Sequence, residues 1–142
     1  MLRVKYLLAF KDKAVWSIEP EEPVLEAIQM MADKHIGALP DIRGEELIGI
    51  VSERDYARKV ILMGRSSSDT PVWEIMSSPV TTVTPDESVH RCMEIMTEKR
   101  IRHLPVVERG RMVGIISIGD LVKAVIEEQQ QTIDQLERYI AG

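Results

Sequence analysis

Apolar residues at Val24, Ala27, Ile28 and Met31 recur with the i, i+3, i+4, i+7 spacing that gives a helix one apolar face. The same spacing returns at Val89, Cys92, Met93 and Met96. After each predicted helix come two short apolar runs. Leu39 to Ile42 and Leu47 to Val51 flank a polar Arg43-Gly44-Glu45-Glu46 turn; Leu104 to Val107 and Met112 to Ile116 flank Glu108 to Arg111. Each pair predicts a β-hairpin. An extended stretch closed by a proline precedes each helix, Ala14 to Ile18 and Val80 to Val83, and a last helix is predicted after Ser52 and after Ser117. The order β-α-β-β-α therefore occurs twice.

Sliding the chain against itself by 65 residues lays Val15 to Ile61 on Val80 to Ile126 without a gap, with fifteen identical pairs. Average composition would give roughly three by chance. The pairs include Pro40/Pro105, Gly49/Gly114, Ser52/Ser117 and Asp55/Asp120. One such unit is too small to bury its own sheet, so the expected fold is α+β, with two repeats packed through their sheets about a pseudo-two-fold axis. The expected divisions are an N-terminal helix and lead-in (1–13), repeat one (14–62), a linker (63–78), repeat two (79–127) and a helical tail (128–142). Val72 to Met76 predicts a short helix within the linker. Ile126, Ile133 and Ile140 recur every seven residues in the tail. That spacing suits a short coiled coil or a helix folded back on its own domain, and the surplus apolar surface favours a homodimer.

Composition narrows the function. The 142 residues are 44% hydrophobic and 29% charged, with net charge −5. A soluble domain is expected, with no basic face of the kind nucleic acid demands. The apolar run Tyr6 to Phe10 is too short for a membrane helix or signal peptide. The single cysteine, Cys92, and the scattered His35, His90 and His103 offer no metal-ligand spacing, and a reduced, cytoplasmic setting is the expectation. No activated nucleophile or carboxylate pair stands out, so no enzymatic activity is expected.

The segments HIGALPDIRGEELIGIVSERD and RIRHLPVVERGRMVGIISIGD resemble the core signature of the CBS domain, the repeat named after cystathionine β-synthase. Two copies resemble the pair called a Bateman module, here of the stand-alone type, and Leu2 to Leu8 resembles its leading helix. The resemblance implies a regulatory module that binds an adenine nucleotide in clefts between the repeats. AMP, ADP, ATP or NAD are the expected ligands, with S-adenosylmethionine ranked behind them. A homodimer and an unidentified protein target are the implied partners. The alternative is a ligand-free scaffold that acts only through dimerisation and protein partners.

Asp55 and Asp120 match the family's ribose position; a carboxylate accepts two hydrogen bonds from a cis-diol. Ser52 and Ser117 match its hydroxyl position. Ser-x-x-Asp is also a plausible helix N-cap pair, and the serines can serve both ends. The phosphate candidates are Arg54, Arg102 and His103, which have no basic counterparts in the opposite repeat. Arginine can grip phosphate oxygens in a bidentate way, and histidine adds a donor and, when protonated, charge. The alternatives are a solvated first turn for Arg54 and a surface helix end for Arg102 and His103. By the pseudo-symmetry, Arg54 is expected to join Arg102 at the Asp120 pocket. Adenine is expected against Ile18, Ile50, Val83 and Ile115, with backbone near Ser17, Thr82 and Thr84 reading its edge. Asp41 stands where repeat two has Val106; it is expected to face the cleft or solvent, or to pair with a neighbour such as Arg43. Trp16, Trp73 and Cys92 are expected to pack.

Overall fold

The computed structural model describes residues 1–11 and 15–141. The extended stretch expected from Ala14 thus begins outside the described residues. The chain forms two units, each described by itself. One gathers the first repeat through Thr81 with the Arg109–Met112 turn; the other gathers the N-terminal helix with Thr82–Glu108 and the chain from Val113 onward.

In the first unit, α2 (Val24–Lys34) buries Val24, Ala27 and Met31. They pack with Leu39 of β1 (Ala38–Arg43) and Val51 of β2 (Glu46–Ser52). The two strands are antiparallel, with Leu39 opposite Val51 and Asp41 opposite Gly49. The hairpin turns through Gly44 at φ 65°, a left-handed position that glycine adopts without steric cost. The segment before α2 touches the sheet at one parallel bridge, Ile18 to Asp41, where a longer strand was expected. After Ser52, a four-residue α3 (Glu53–Tyr56) passes into a π-helical turn at Ala57–Ile61. The linker helix is a single 3-10 turn, Val72–Glu74.

The second unit repeats the plan with α4 (Val89–Lys99), β3 (His103–Glu108) and β4 (Arg111–Ser117), and Val83 makes the parallel bridge to Val106. Cys92 is fully buried, as is its counterpart Ala27. α2 and α4 stop alike: His35 and Arg100, 65 positions apart, both turn left-handed at φ 55°. The last helix is far longer here, α5 (Ile118–Ala141). It buries only Leu121 fully and leaves Ile126, Ile133, Leu136 and Ile140 exposed.

The repeat extends further upstream than the ungapped alignment reaches. α1 (Val4–Phe10) belongs to the second unit, where Val4 and Leu7 enter the core. The Val4 amide donates to the Glu87 carbonyl and the Lys5 amide to Pro85. In the first unit, the Val72 amide donates to Glu22 and the Trp73 amide to Pro20 in the same way. Val4, Leu7 and Leu8 thus play the parts of Val72, Ile75 and Met76, at an offset of 68 rather than 65. Leu8 lies over Gly114 and Met76 over Gly49; a Cβ added at either glycine would come within 2.7 Å and 2.4 Å of them respectively. The three extra residues and a single identity, Val4/Val72, hid this part of the repeat.

Two expectations and one alternative need correction. Of the places expected for Asp41, solvent and a pair with Arg43 are both excluded. Asp41 is 0% exposed, both carboxyl oxygens lack a hydrogen-bond partner, and Arg43 pairs with Glu21 instead. Its strand position is that of core residue Val106, so the side chain follows the sheet's inward register despite its polarity. Trp16 and Trp73 are not packed inside: they are 40% and 52% exposed, and Trp16 carries the Lys34 ammonium over its ring at 4.1 Å. Arg102 and His103 do not end a helix, because α4 stops at Lys99; they lead into and open β3.

Candidate functional site

Ser52 and Asp55 form a reciprocal cap at the start of α3. The Asp55 amide donates to Ser52 Oγ at 3.1 Å, and the Ser52 amide and hydroxyl donate to Asp55 Oδ2 at 2.9 and 3.0 Å. Ser117 and Asp120 do the same at the start of α5, with the Asp120 amide donating to Ser117 Oγ at 3.2 Å and the Ser117 amide to Asp120 Oδ2 at 2.8 Å. Both pairs therefore satisfy amides that a helix start leaves open. Capping fixes each carboxylate's direction and leaves it half-buried rather than enclosed.

Each capped aspartate also meets a lysine. Lys59, one turn along from Asp55, places its ammonium 3.1 Å from Oδ1 and donates to the Ile75 carbonyl at 2.8 Å. Lys11 comes from the far end of the chain. Its ammonium donates to Asp120 Oδ2 and to the Ile115 carbonyl, both at 2.7 Å. Burial alone would push the Asp120 carboxyl up. The Lys11 hydrogen bond, the Ser117 amide and the Lys11 charge outweigh it and hold Asp120 below the usual carboxylate range. Sequence reasoning missed both lysines. Lys59 was legible as an i, i+4 partner of Asp55, whereas Lys11 lies 109 residues from Asp120 with no local signal.

His103 sits beside this second cluster. Burial lowers its pKa first, the Lys11 charge next, with Arg102 adding and Asp120 opposing. These influences together favour the neutral imidazole, which can still donate one hydrogen bond. Arg102 is exposed just before β3. Arg54 is exposed in the first turn of α3 and belongs with Asp55 and Lys59 in the first unit. Arg54 thus lies in the unit of the first repeat, and Arg102 and His103 in that of the second. Of the adenine candidates, Ile50 and Ile115 are half-buried on β2 and β4, while Ile18 and Val83 are core residues at 6% and 5% exposure. Ser17, Thr82 and Thr84 are exposed beside those two bridges. Among the described residues, no group of His, Cys, Asp and Glu is placed to hold a metal ion, and no helix is long and apolar enough to cross a membrane.

The family described as CBS domain matches residues 10–61 and 72–127. Over 127 residues the chain is 43% identical to a CBS domain-containing protein, CBSX3, named as mitochondrial, from Arabidopsis thaliana, covering 86% of this chain and 62% of that protein's length. Among solved structures, a protein with CBS domains from Burkholderia ambifaria MC40-6 superposes with TM-score 0.86 at 48% identity, covering 89% of this chain and 96% of that one. The CBS domain pair of protein MJ0100, in complex with 5-methylthioadenosine and S-adenosyl-L-methionine, superposes with TM-score 0.80 at 25% identity, covering 90% and 98%. With both repeats matched and the same elements built twice in the structure, the chain belongs to the CBS domain family and carries a tandem pair of its repeats.

Proposed function

We propose that this CBS pair is a regulatory module that binds an adenine nucleotide and has no catalytic chemistry of its own. The observation that carries the reading is the doubled Ser–Asp cap, whose carboxylates at Asp55 and Asp120 are held half-buried by one lysine each. A carboxylate fixed by its own helix start, with a displaceable cation on it, is suited to accept a ribose diol. The MJ0100 pair supports the ligand class, since both compounds in that complex contain adenosine. The expected ligands are AMP, ADP, ATP or NAD, with S-adenosylmethionine behind them. Ser52 and Ser117 would sit beside the sugar, and Arg54, Arg102 and His103 would face phosphate. The half-buried Ile50 and Ile115 are better placed to receive adenine than Ile18 and Val83, whose side chains already pack in the two cores. The exposed Thr82 and Thr84 remain the candidates for the base edge.

Ligand binding would act by population shift, favouring one arrangement of a homodimer and so changing what a protein target meets. The buried Cys92 fits a reducing compartment, the cytoplasm in our reading. A ligand-free dimerisation scaffold is the competing reading, and the exposed apolar face of α5 favours it. Thermal shift with AMP, ATP, NAD and S-adenosylmethionine separates the two, because a ligand bound to the native state raises Tm by mass action. We expect at least one adenine nucleotide at millimolar concentration to raise Tm, and Asp120→Ala to lose most of that rise. No shift with any of them would leave the scaffold reading standing.

A further inference from the structure

Lys11 reaches the Asp120 carboxylate by a route that repeat one lacks. At the offset of 68 that matches α1 to the linker turn, the residue corresponding to Lys11 is Pro79, which carries no charge. The lysine is delivered by a docked element. Val4 and Leu7 are buried, Leu8 rests on Gly114, and the next strand residue, Ile115, supplies the carbonyl that shares the ammonium. Only the flexible stem lies between this anchor and the ion pair, whose two side chains are 33% and 26% exposed.

The electrostatics around the pair are lopsided. Lys11 and Arg102 are both close enough to perturb His103, and Asp120 is the acidic group acting against them there. Among the described residues, two cations and one carboxylate thus act on His103. A neutral ligand that takes Asp120 Oδ2 must displace the ammonium and leave it half-buried without its carboxylate. A ligand bearing phosphate gives the displaced ammonium a new anion within reach of its stem. Partly buried charges are costly to leave unpaired, so the two ligands differ in more than their own contacts.

We propose that Lys11 is the specificity-determining residue of the Asp120 pocket, closing its carboxylate to unphosphorylated adenosine compounds and moving to the phosphate of nucleotides. This rests on the reading that Asp120 receives a ribose. At Asp55 the ammonium comes from Lys59, one turn along the same helix, rather than from a separately docked element, so the two carboxylates are served by lysines of different origin.

The test is calorimetric titration with adenosine and with AMP in an Asp55→Ala background, so that only the second pocket reports. Lys11→Met and Lys11→Arg are compared with that parent, with circular dichroism confirming that each is folded. We expect Lys11→Met to tighten adenosine and weaken AMP, so that the AMP/adenosine affinity ratio falls at least tenfold. Lys11→Arg, which keeps a cation, should hold the ratio within about threefold of the parent. A Lys11→Met variant that shifts both ligands by the same factor, or neither, overturns the gate while leaving the ribose reading intact. If neither ligand binds the parent, or if adding Asp120→Ala leaves AMP binding unchanged, the ribose assignment fails and the gate falls with it.

Discussion

Asp41 shows what a single residue can cost a fold that otherwise fits its sequence. Its carboxyl is 0% exposed with no hydrogen-bond partner. Burial, and then the charge of Asp55, push its pKa up to about 8 from an unfolded value near 3.8. The folded state therefore holds a proton that the unfolded chain has already released. Stability from this group is complete below about pH 4 and declines as pH rises through 8. Asp41→Val, which installs the residue repeat two already uses, should stabilise the protein by about 1–4 kcal/mol at pH 8. It should also flatten the decline between pH 5 and 9. Urea denaturation across that range checks both. Equal stability of the variant and the parent at pH 8 would show that Asp41 finds a partner in solution. The mismatch was visible in the sequence as Asp41 against Val106, but its resolution was not. The repeat aligned the side chain with that of Val106, and nothing local reports whether a partner waits there.

At the scale of elements, helix periodicity and hairpin turns were legible because each depends on neighbours in sequence. α2, α4 and both hairpins stand where the apolar spacing put them, within a residue or two. The parts that were hard to read depend on distant chain. The flanking strands are reduced to one bridge each at Ile18 and Val83, and α1 matches the linker turn through backbone hydrogen bonds and core packing with a single identity to show it in the sequence. The glycines under these lead-in elements make a further prediction. Gly114→Ala meets Leu8 Cδ2 at 2.7 Å, the movable end of a side chain. Gly49→Ala meets Met76 Sδ at 2.4 Å and the Ser77 carbonyl at 3.2 Å, and that carbonyl is engaged with the Ile50 amide. Backbone yields less readily than a side-chain tip. Gly49→Ala should therefore cost about 1–3 kcal/mol and Gly114→Ala less. Thermal melts of the two variants should rank them so, and the reverse order would mean that the linker turn gives way more easily than α1.

For the whole molecule, the candidate site was half legible. Ser52, Asp55, Ser117 and Asp120 were found because the repeat doubles them. The ion pair Lys11–Asp120 was not, because its partners are 109 residues apart and only the docking of α1 joins them. The tail makes a prediction at this scale. α5 leaves Ile126, Ile133 and Ile140 exposed at 59%, 46% and 82%. Residues seven apart lie within about 20° of one face of a helix, which suits a partner helix of the same kind. Ile133→Glu should shift the protein toward monomer in sedimentation velocity without lowering its helix content. A dimer that survives this substitution must use another surface.

The lead-in elements also set an order of assembly. The Val72–Glu74 turn, which completes the first repeat, follows it directly in the chain. α1 completes the second repeat but is synthesised before the first. During translation the first half has all its parts once Ser77 has emerged. α1 must wait with Val4 and Leu7 unburied until the β4 residues beneath Leu8 have been made. The helix that leads into Lys11 is thus made before the first repeat, yet its seat on Gly114 exists only after β4 has been made. Docking it closes a long loop, an entropic cost that the hairpins and the linker turn, built from near neighbours in sequence, do not carry.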